Sequence, residues 1–314
     1  MSRYLVRRLG FVVLTVFLTS IVIFSVIQVL PGDVARVILG REAGQAAVDQ
    51  LRQELGLDLP APVRYLRWIA DFVRGAWGES FSLRTAVLPL VARRLSNSLL
   101  LAAVVLGLAV PLSVGLGVMA GLRQDSFLDN VVSMGSLALV GLPEFVTGLV
   151  LIQVFALQLG LFPASSSLAD SSGLGGKIAQ LILPSLTAAL VLLGYLARLT
   201  RAQVIEESGK PYVRTAVLKG LPRRTVILRH ILRNALMPTV TVVAISFGWL
   251  LSGLIVIEAV FNYPGLGSLL VFAVSRRDLP VIQAISMLAV VGYALANLSA
   301  DLVYAALNPR LRLE

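Results

Sequence analysis

Six long apolar stretches dominate the sequence and restrict the chain to a membrane fold. They lie at Leu9–Leu30, Asn97–Leu122, Asn130–Leu157, Ile178–Thr200, Leu236–Val256 and Val281–Leu307. As helices, such stretches can cross about 30 Å of hydrocarbon, which takes about 20 residues. Only 14% of the residues are charged, against about 25% in a soluble domain. The sequence therefore predicts an all-α integral membrane protein with six transmembrane helices, a long external loop between the first two, and a cytoplasmic loop between the fourth and fifth.

The distribution of Lys and Arg predicts the orientation of these spans. Cytoplasmic ends of membrane spans are enriched in Lys and Arg. Such residues occur in both tails and in two alternate loops, at Arg3, Arg7, Arg8, Arg123, the segment 209–238, Arg310 and Arg312. Both termini are therefore expected in the cytoplasm. The formal net charge of +10 then reflects topology, so no nucleic-acid partner is expected.

The chain divides into four predicted regions. These are a cytoplasmic tail with the first span (1–30), an external loop (31–95), a five-span core (96–307) containing the cytoplasmic loop 201–235, and a cytoplasmic tail (308–314). The external loop carries two amphipathic stretches, Val48–Leu57 and Val63–Phe72. Such stretches fit either a cap over the external face or a helix packed on the membrane surface. A cleaved signal peptide at the amino terminus is disfavoured, because the first apolar stretch is too long.

The segment 209–238, called the basic segment below, is an island of charge between two apolar stretches. Its charged residues are all basic: Lys210, Arg214, Lys219, Arg223, Arg224, Arg229 and Arg233. Gly220 and Pro222 are expected to split it into two short helical pieces, because glycine permits a sharp bend and proline fits the first turn of a helix. These pieces can contact another protein or lie on anionic lipid headgroups.

Residues for catalysis, metal binding and nucleotide binding are scarce. His230 is the only histidine, and the chain has no cysteine. No phosphate-binding loop occurs, since Gly176-Lys177 is followed by Ile178 and lacks the upstream glycine. The chain is therefore expected to have no catalytic residue, metal site or cofactor of its own, and to be one component of a larger machine.

Several motifs in order resemble the permeases of ATP-binding-cassette importers, in the dipeptide/oligopeptide/nickel branch. The motifs run along the whole chain: Leu30-Pro31-Gly32-Asp33, Gly56-Leu57-Asp58, Tyr65-Leu66, Trp77-Gly78-Glu79-Ser80-Phe81, Tyr212-Val213-Arg214-Thr215-Ala216, Lys219-Gly220-Leu221, Arg229-His230, Arg233-Asn234-Ala235-Leu236-Met237-Pro238, Glu258 to Gly267, Asp301-Leu302-Val303-Tyr304 and Asn308-Pro309-Arg310.

The resemblance implies a permease of the cytoplasmic (inner) membrane that works within a complex. It implies a second, homologous permease subunit, two cytoplasmic ATPase subunits that bind ATP and Mg, and an external solute-binding protein. Peptides are the first choice of substrate. Nickel chelates, glutathione and oligosaccharides remain alternatives.

The resemblance also implies that the basic segment couples the permease to the ATPases. The residues expected to do so are Tyr212, Arg214, Thr215, Ala216, Lys219, Gly220, Pro222, Arg223, Val226, Ile227 and His230. The helix Arg223–Leu236 is expected to place Val226, Ile227 and Ile231 in an ATPase groove, with arginines at the rim.

The motif after the fifth span is expected to break the helix near the external face, because proline and glycine disfavour a regular helix. Its residues are Glu258, Phe261, Tyr263, Pro264, Gly265 and Gly267. They are interpreted as an external gate or a contact for the binding protein, with an ordinary turn as the alternative. Glu258 is expected at the outer interface, where a charge costs little.

Glu144 is a carboxylate placed about midway along the predicted third span, and it departs from the resemblance. An acidic residue at that depth usually faces a cavity or a partner, and Pro143 is expected to bend the helix. Glu144 is therefore a candidate for the translocation pathway, with pairing to the partner permease as the alternative.

Two other kinds of membrane protein fit the composition less well. A secondary transporter usually has inverted repeats with broken spans at matching positions, and no such repeat is found. A membrane subunit of a respiratory complex would carry several buried charges, whereas this sequence offers chiefly Glu144 and Asp301.

Overall fold

The computed structural model describes residues 2–29, 36, 39, 43–54, 56, 58–168 and 173–307. The motif Leu30-Pro31-Gly32-Asp33, the residue Leu57 and the tail 308–314 with Asn308-Pro309-Arg310 lie outside the described residues. Within the described part, the regular structure is helical, apart from an isolated bridge between Glu79 and Ala86.

The helices follow one another in chain order with short connections. They are α1 (Ser2–Val29), α2 (Gln45–Glu54), α3 (Ala61–Arg74), α4 (Val87–Gly121), α5 (Phe127–Gly141), α6 (Glu144–Leu151) with the π-helical turn Ile152–Gln158, α7 (Gly173–Ser208), α8 (Pro211–Leu218), α9 (Arg223–Thr225) with the π-helical turn Val226–Ile231, α10 (Leu232–Gly253), α11 (Ile255–Val260), α12 (Leu266–Arg276) and α13 (Leu279–Leu307).

Five of these described helices are long and apolar enough to cross a membrane by themselves. The predicted third span is different, because α5 and the helix Glu144–Gln158 meet at an angle of 103°. The count is therefore five, or six if this bent pair is one span. The expected bend at Pro143 is confirmed: the preceding Leu142 is extended, with ψ 131°, as steric clash with a following proline favours.

Small residues allow the central helices α4 and α7 to approach closely. A Cβ added at Gly117 would lie 2.6 Å from Thr200 Cβ, and one at Gly121 would lie 2.8 Å from Val204 Cβ. Small residues serve the same purpose in membrane helix pairs generally, where close backbone packing replaces the hydrophobic effect. The buried core lies around this pair and includes Leu101, Leu196 and Leu250.

The first and last helices meet at one end of the bundle. The guanidinium Nη2 of Arg8 in α1 lies 3.1 Å from Oδ1 of Asp301 in α13. The amino end of α1 and the carboxyl end of α13 are therefore on the same side of the bundle, as an even number of spans requires.

Both predicted amphipathic stretches of the external loop form helices, α2 and α3. Pro60 precedes α3, and Gly75 ends it in the left-handed conformation with φ 78°, the usual glycine stop signal. The second long helix starts at Val87, ten residues before the predicted span at Asn97. Helix α12, next to the expected break after the fifth span, was not predicted.

Candidate functional site: the basic segment and its supports

The basic segment joins α7 to α10 and contains one separate short helix. That helix is α8 (Pro211–Leu218). The second predicted piece is not separate, because the chain is helical from Arg223 through α9 and the π-helical turn into α10. The segment is therefore split at Gly220 and Pro222 as predicted, but its second piece is longer than expected and runs on past Pro238 within α10.

The turn between α8 and α9 depends on Gly220. Its φ is 72°, a left-handed value that costs other L-residues roughly 1–2 kcal/mol. The Leu221 N–H donates to the Ala216 carbonyl oxygen at 3.3 Å, which closes the end of α8. The bend predicted at Gly220 is thus confirmed. Pro222 is the N-cap residue of α9, with φ −56° and ψ 137°. It therefore lies just before the first turn of that helix, whereas the prediction placed it within that turn.

The inner face of the basic segment packs against its own chain. Val226 is 4% exposed and lies in a buried cluster with Val204, Val213, Ala216 and Ile231. The prediction that Val226 and Ile231 enter a groove of another protein is therefore corrected: these side chains hold α8 against α7 and the start of α10. Ile227 is half-buried at the edge of this cluster.

The outward apolar face is formed instead by the tip of α8 and the turn. Leu218 is 79% exposed, and its neighbours Val217 and Leu221 are also exposed. Exposed polar and basic residues surround this tip: Arg214, Thr215, Lys219, Arg223 and Arg224. An apolar tip with a basic rim suits a docking contact, and this tip was not singled out from the sequence.

Tyr212 ties α8 to the two helices on either side of it. Its hydroxyl donates to Glu207 Oε2 at 2.6 Å and accepts from Asn234 Nδ2 at 2.9 Å. It also lies 3.0 Å from the carbonyl oxygen of His230. Glu207 is in α7 and Asn234 is in α10, so one hydroxyl group connects three helices. We call this cluster the Tyr212 joint.

Lys210 completes the Tyr212 joint. Its Nζ lies 2.5 Å from Glu207 Oε1, and this hydrogen bond raises the pKa of Lys210. Burial, together with the hydrogen bond to Glu207, raises the pKa of Tyr212. Tyr212 is therefore a neutral donor and Lys210 a cation near neutral pH. Sequence analysis missed Glu207, because Glu206 and Glu207 are adjacent and the sequence does not indicate which of the two carboxylates is buried.

An ion pair with a buried carboxylate lies six residues before Glu207 in α7. The Asp129 side chain in α5 is 1% exposed and accepts hydrogen bonds from Arg201 Nε and, at 2.7 Å, from Arg201 Nη2. The Asp125 N–H donates to the same carboxylate at 3.0 Å. The bidentate geometry fixes α5 against α7, so the helix that carries Glu207 also holds the first half of the bent pair.

The motif Glu258–Gly267 forms a buried junction at the other end of α7. Glu258 is 1% exposed and accepts from Ser98 Oγ at 2.6 Å and from the Ser268 N–H at 2.9 Å. Phe261 and Tyr263 are fully buried. Glu258 is thus enclosed by protein and hydrogen-bonded, which the sequence did not indicate, and these three side chains are buried in this structure. Their role as an external gate or a contact for the binding protein stays a prediction.

Close packing explains the glycines and the proline of this junction. A Cβ at Gly265 would lie 2.0 Å from Glu258 Oε1, and one at Gly267 would lie 2.5 Å from Ile255 Cα. The Pro264 carbonyl oxygen accepts from Asn97 Nδ2 at 2.8 Å. The junction therefore joins the α11–α12 hairpin to α4, and it is not an ordinary exposed turn.

A further buried carboxylate holds the segment that joins α3 to α4. Asp278 is fully buried between α12 and α13. It accepts from Ser80 Oγ at 2.5 Å, from the Phe81 N–H at 3.1 Å and from the Ser82 N–H at 3.0 Å. Sequence analysis missed Asp278, although Ser80 and Phe81 belong to a motif that it quoted.

Glu144 lies at the break of the bent pair and opens α6. It is half-buried, and its Oε2 is buried without a hydrogen-bond partner among the described residues. Glu144 therefore lies at the corner of the bent pair, directly after the bend expected at Pro143. Among the described residues, no group of three His, Cys, Asp or Glu side chains is placed to hold a metal ion.

Comparison with known families matches the sequence along nearly all its length. Residues 113–313 match the family described as "Binding-protein-dependent transport system inner membrane component". Residues 1–102 match the family "Binding-prot-dependent transport system membrane comp, N-term".

Curated relatives and a solved structure agree with these matches. The chain is 36% identical to "Probable peptide ABC transporter permease protein y4tP" of Sinorhizobium fredii, over 99% of this chain and 100% of that protein. It is 38% identical to "Glutathione transport system permease protein GsiC" of Escherichia coli K12, over 99% of each chain. A chain from the "Crystal structure of an amino acid ABC transporter with histidines" aligns with a TM-score of 0.51 and 17% identity, covering 71% of this chain and 94% of that one. This last likeness shows a shared fold.

Proposed function

The chain belongs to the family of binding-protein-dependent transport system inner membrane components and is a permease subunit of an ABC importer, and we propose that its substrates are di- or oligopeptides. The substrate proposal is supported by the peptide permease at 36% identity. Glutathione, itself a tripeptide, is the second candidate, because a glutathione permease is 38% identical over nearly the whole length.

The proposed assembly places the basic segment in the cytoplasm and the external loop outside. Two ATPase subunits bind ATP and Mg beneath the basic segment, a second homologous permease completes the pathway, and an external solute-binding protein delivers the substrate. This orientation is supported by the concentration of Lys and Arg in the basic segment. The pairing of Arg8 with Asp301 supports the placement of both ends of the chain on one and the same side.

The Tyr212 joint is the observation that carries the coupling proposal. The exposed tip of α8, with Val217 and Leu218, docks on an ATPase subunit, and Arg214 and Lys219 form the rim. Because the joint binds α8 to both α7 and α10, movement of the tip cannot be absorbed within α8 alone. The ion pair between Asp129 and Arg201 then passes the movement of α7 to α5.

Glu144 is proposed to face the translocation pathway. A buried carboxylate oxygen without a partner is costly unless a cation or a hydrogen-bond donor reaches it, and the break at Pro143 opens space in the helix backbone. A peptide amino group is a suitable transient partner. The attraction has to be weak, because tight binding in a pathway prevents release.

Reconstitution tests the function directly. Proteoliposomes that contain both permeases and both ATPases, with the binding protein outside and ATP inside, are expected to take up a labelled dipeptide. Excess unlabelled dipeptide should compete for uptake. Saturable uptake of glutathione, with no competition by dipeptides, would replace the peptide proposal by the glutathione one. Uptake that continues without ATP would overturn the importer role.

Site-directed labelling tests the orientation. The chain has no cysteine, so single cysteines at Arg224 and Asp58 report their own surroundings. Asp58 is expected to react with an impermeant maleimide on intact spheroplasts, and Arg224 only after the membrane is opened. Reaction of both positions in intact spheroplasts would contradict the proposed topology.

A further inference from the structure

Helix α3 of the external loop has two apolar faces with different surroundings. An aromatic half packs on the side of α1 and on the loop that follows α3. The Tyr65 hydroxyl is 2.7 Å from Ser20 Oγ, and the Phe24 ring lies 5.5 Å from Tyr65 and 6.0 Å from Trp68 between centroids.

The aliphatic half of α3 is open. Leu66 is 63% exposed and Val73 is 80% exposed. The helical repeat of 3.6 residues puts Val63, Leu66, Ile69 and Val73 on one side of α3. The charged residues Arg64, Arg67, Asp71 and Arg74 fall on an adjacent face. An exposed aliphatic stripe beside a charged face with net positive charge is the pattern of a helix that lies in a membrane interface.

The position of α3 along α1 gives the depth. The apolar span within α1 runs from Val6 to Ile27, so Phe24 and Ser20 lie about 4.5 Å and about 10.5 Å below its end at 1.5 Å per residue. Interfacial helices bury their apolar face about 5–10 Å into the boundary between headgroups and acyl chains. The contacts with α1 therefore hold α3 at the depth that such helices occupy.

The side of α1 that meets α3 is also apolar and partly exposed. On α1, Ile21 and Phe17 lie about one and two turns before Phe24 on the same side of the helix, and they are 38% and 51% exposed. The stripe of α3 thus adjoins an exposed apolar surface of the first span. Arginine suits the other border, because its planar guanidinium matches phosphate oxygens. Arg67 and Arg74 are both exposed on that border.

We propose that α3 is an interfacial helix. Its aliphatic stripe inserts among the acyl chains at the outer end of the first span, and Arg67 and Arg74 lie at the level of the lipid phosphates. The partner is the phospholipid surface itself. On this proposal α3 anchors the external loop to the bilayer beside α1, and it does not close over the mouth of the pathway as a lid.

Spin labels at matched positions test the proposal in the full-length chain. Because the chain has no cysteine, the variants Leu66→Cys and Val73→Cys each carry one label on the stripe. Arg67→Cys and Arg74→Cys carry one on the charged face, a single residue away. Each protein is reconstituted in liposomes of phosphatidylethanolamine and phosphatidylglycerol. Power saturation then compares collisions with oxygen, which enters the acyl region, and with a water-soluble nickel chelate.

The expected result is opposite accessibility on the two faces. Labels at 66 and 73 should collide more with oxygen than with nickel, and labels at 67 and 74 should do the reverse. A lid would make all four positions accessible to nickel, which overturns the proposal. Shielding of 66 and 73 from both reagents would mean that protein covers the stripe, which also overturns it. Two pairs are used so that, if one variant fails to insert, the other pair decides.

Discussion

Replacing Gly220 should uncouple ATP hydrolysis from transport through the backbone alone. The φ of Gly220 is 72°, and nothing lies within 4 Å of a Cβ built on it. The penalty is therefore the left-handed strain of an L-residue, about 1–2 kcal/mol, and it does not grow with the size of the side chain. A penalty of this size shifts the equilibrium between the native turn and an opened one by a factor of about 5 to 30.

Three variants separate this effect from others. Gly220→Ala and Gly220→Leu should lower the substrate transported per ATP hydrolysed to the same extent. Gly220→Asn should stay near wild type, because asparagine tolerates this conformation. The assay measures uptake and phosphate release together in proteoliposomes that contain equal amounts of assembled complex. A leucine variant much worse than the alanine variant would show that contacts at the turn matter more than strain, and wild-type coupling in both would refute the reasoning.

Three further changes test the other parts of the site. Tyr212→Phe removes a hydrogen bond to a carboxylate, worth about 1.5–3 kcal/mol at most. It should lower the amount of substrate transported per ATP hydrolysed, while assembly measured by gel filtration stays unchanged. An unaltered amount of substrate per ATP would exclude the Tyr212 joint as a coupling element. Glu144→Gln should slow uptake of cationic peptides more than that of neutral ones at normal ATPase activity; loss of assembly would instead assign Glu144 to the partner permease. Gly265→Ala, whose Cβ would lie 2.0 Å from Glu258, should lower the free energy of unfolding in detergent by about 1–3 kcal/mol. Gly135→Ala, where the added Cβ meets open space, is the control and should leave it unchanged. Equal melting temperatures for the two variants would contradict the packing of the junction.

Sequence predicted the long helices well because length and hydrophobicity are local properties. It also predicted the bends at Gly220 and Pro143, since glycine and proline restrict the backbone wherever they occur. The angle of 103° at Pro143 depends on what α6 packs against, and this is not a local property. The helix periodicity of Val226 and Ile231 was correct, but periodicity shows only that a face is apolar. The structure shows that α8 of the same chain covers it.

Buried polar clusters were the hardest part to predict. The partner of Glu258 is Ser98, 160 residues away in sequence, and Asp278 binds Ser80 across 198 residues. No spacing rule connects such pairs, so Glu258 was placed at an interface where a charge costs little. Asn234 was quoted within a motif, yet its bond to Tyr212 becomes visible only when α8 folds back between α7 and α10.

The central claim is that the tip of α8 docks on an ATPase subunit, and a photo-crosslink tests it most directly. Benzoylphenylalanine is placed at Leu218, which is 79% exposed, and at Leu161, which is 61% exposed and lies before the start of α7. On irradiation of the assembled complex, Leu218 should form an adduct with an ATPase subunit and Leu161 should not. An ATPase adduct from Leu161 alone would contradict the claim. So would the absence of an ATPase adduct from both positions in an assembled complex.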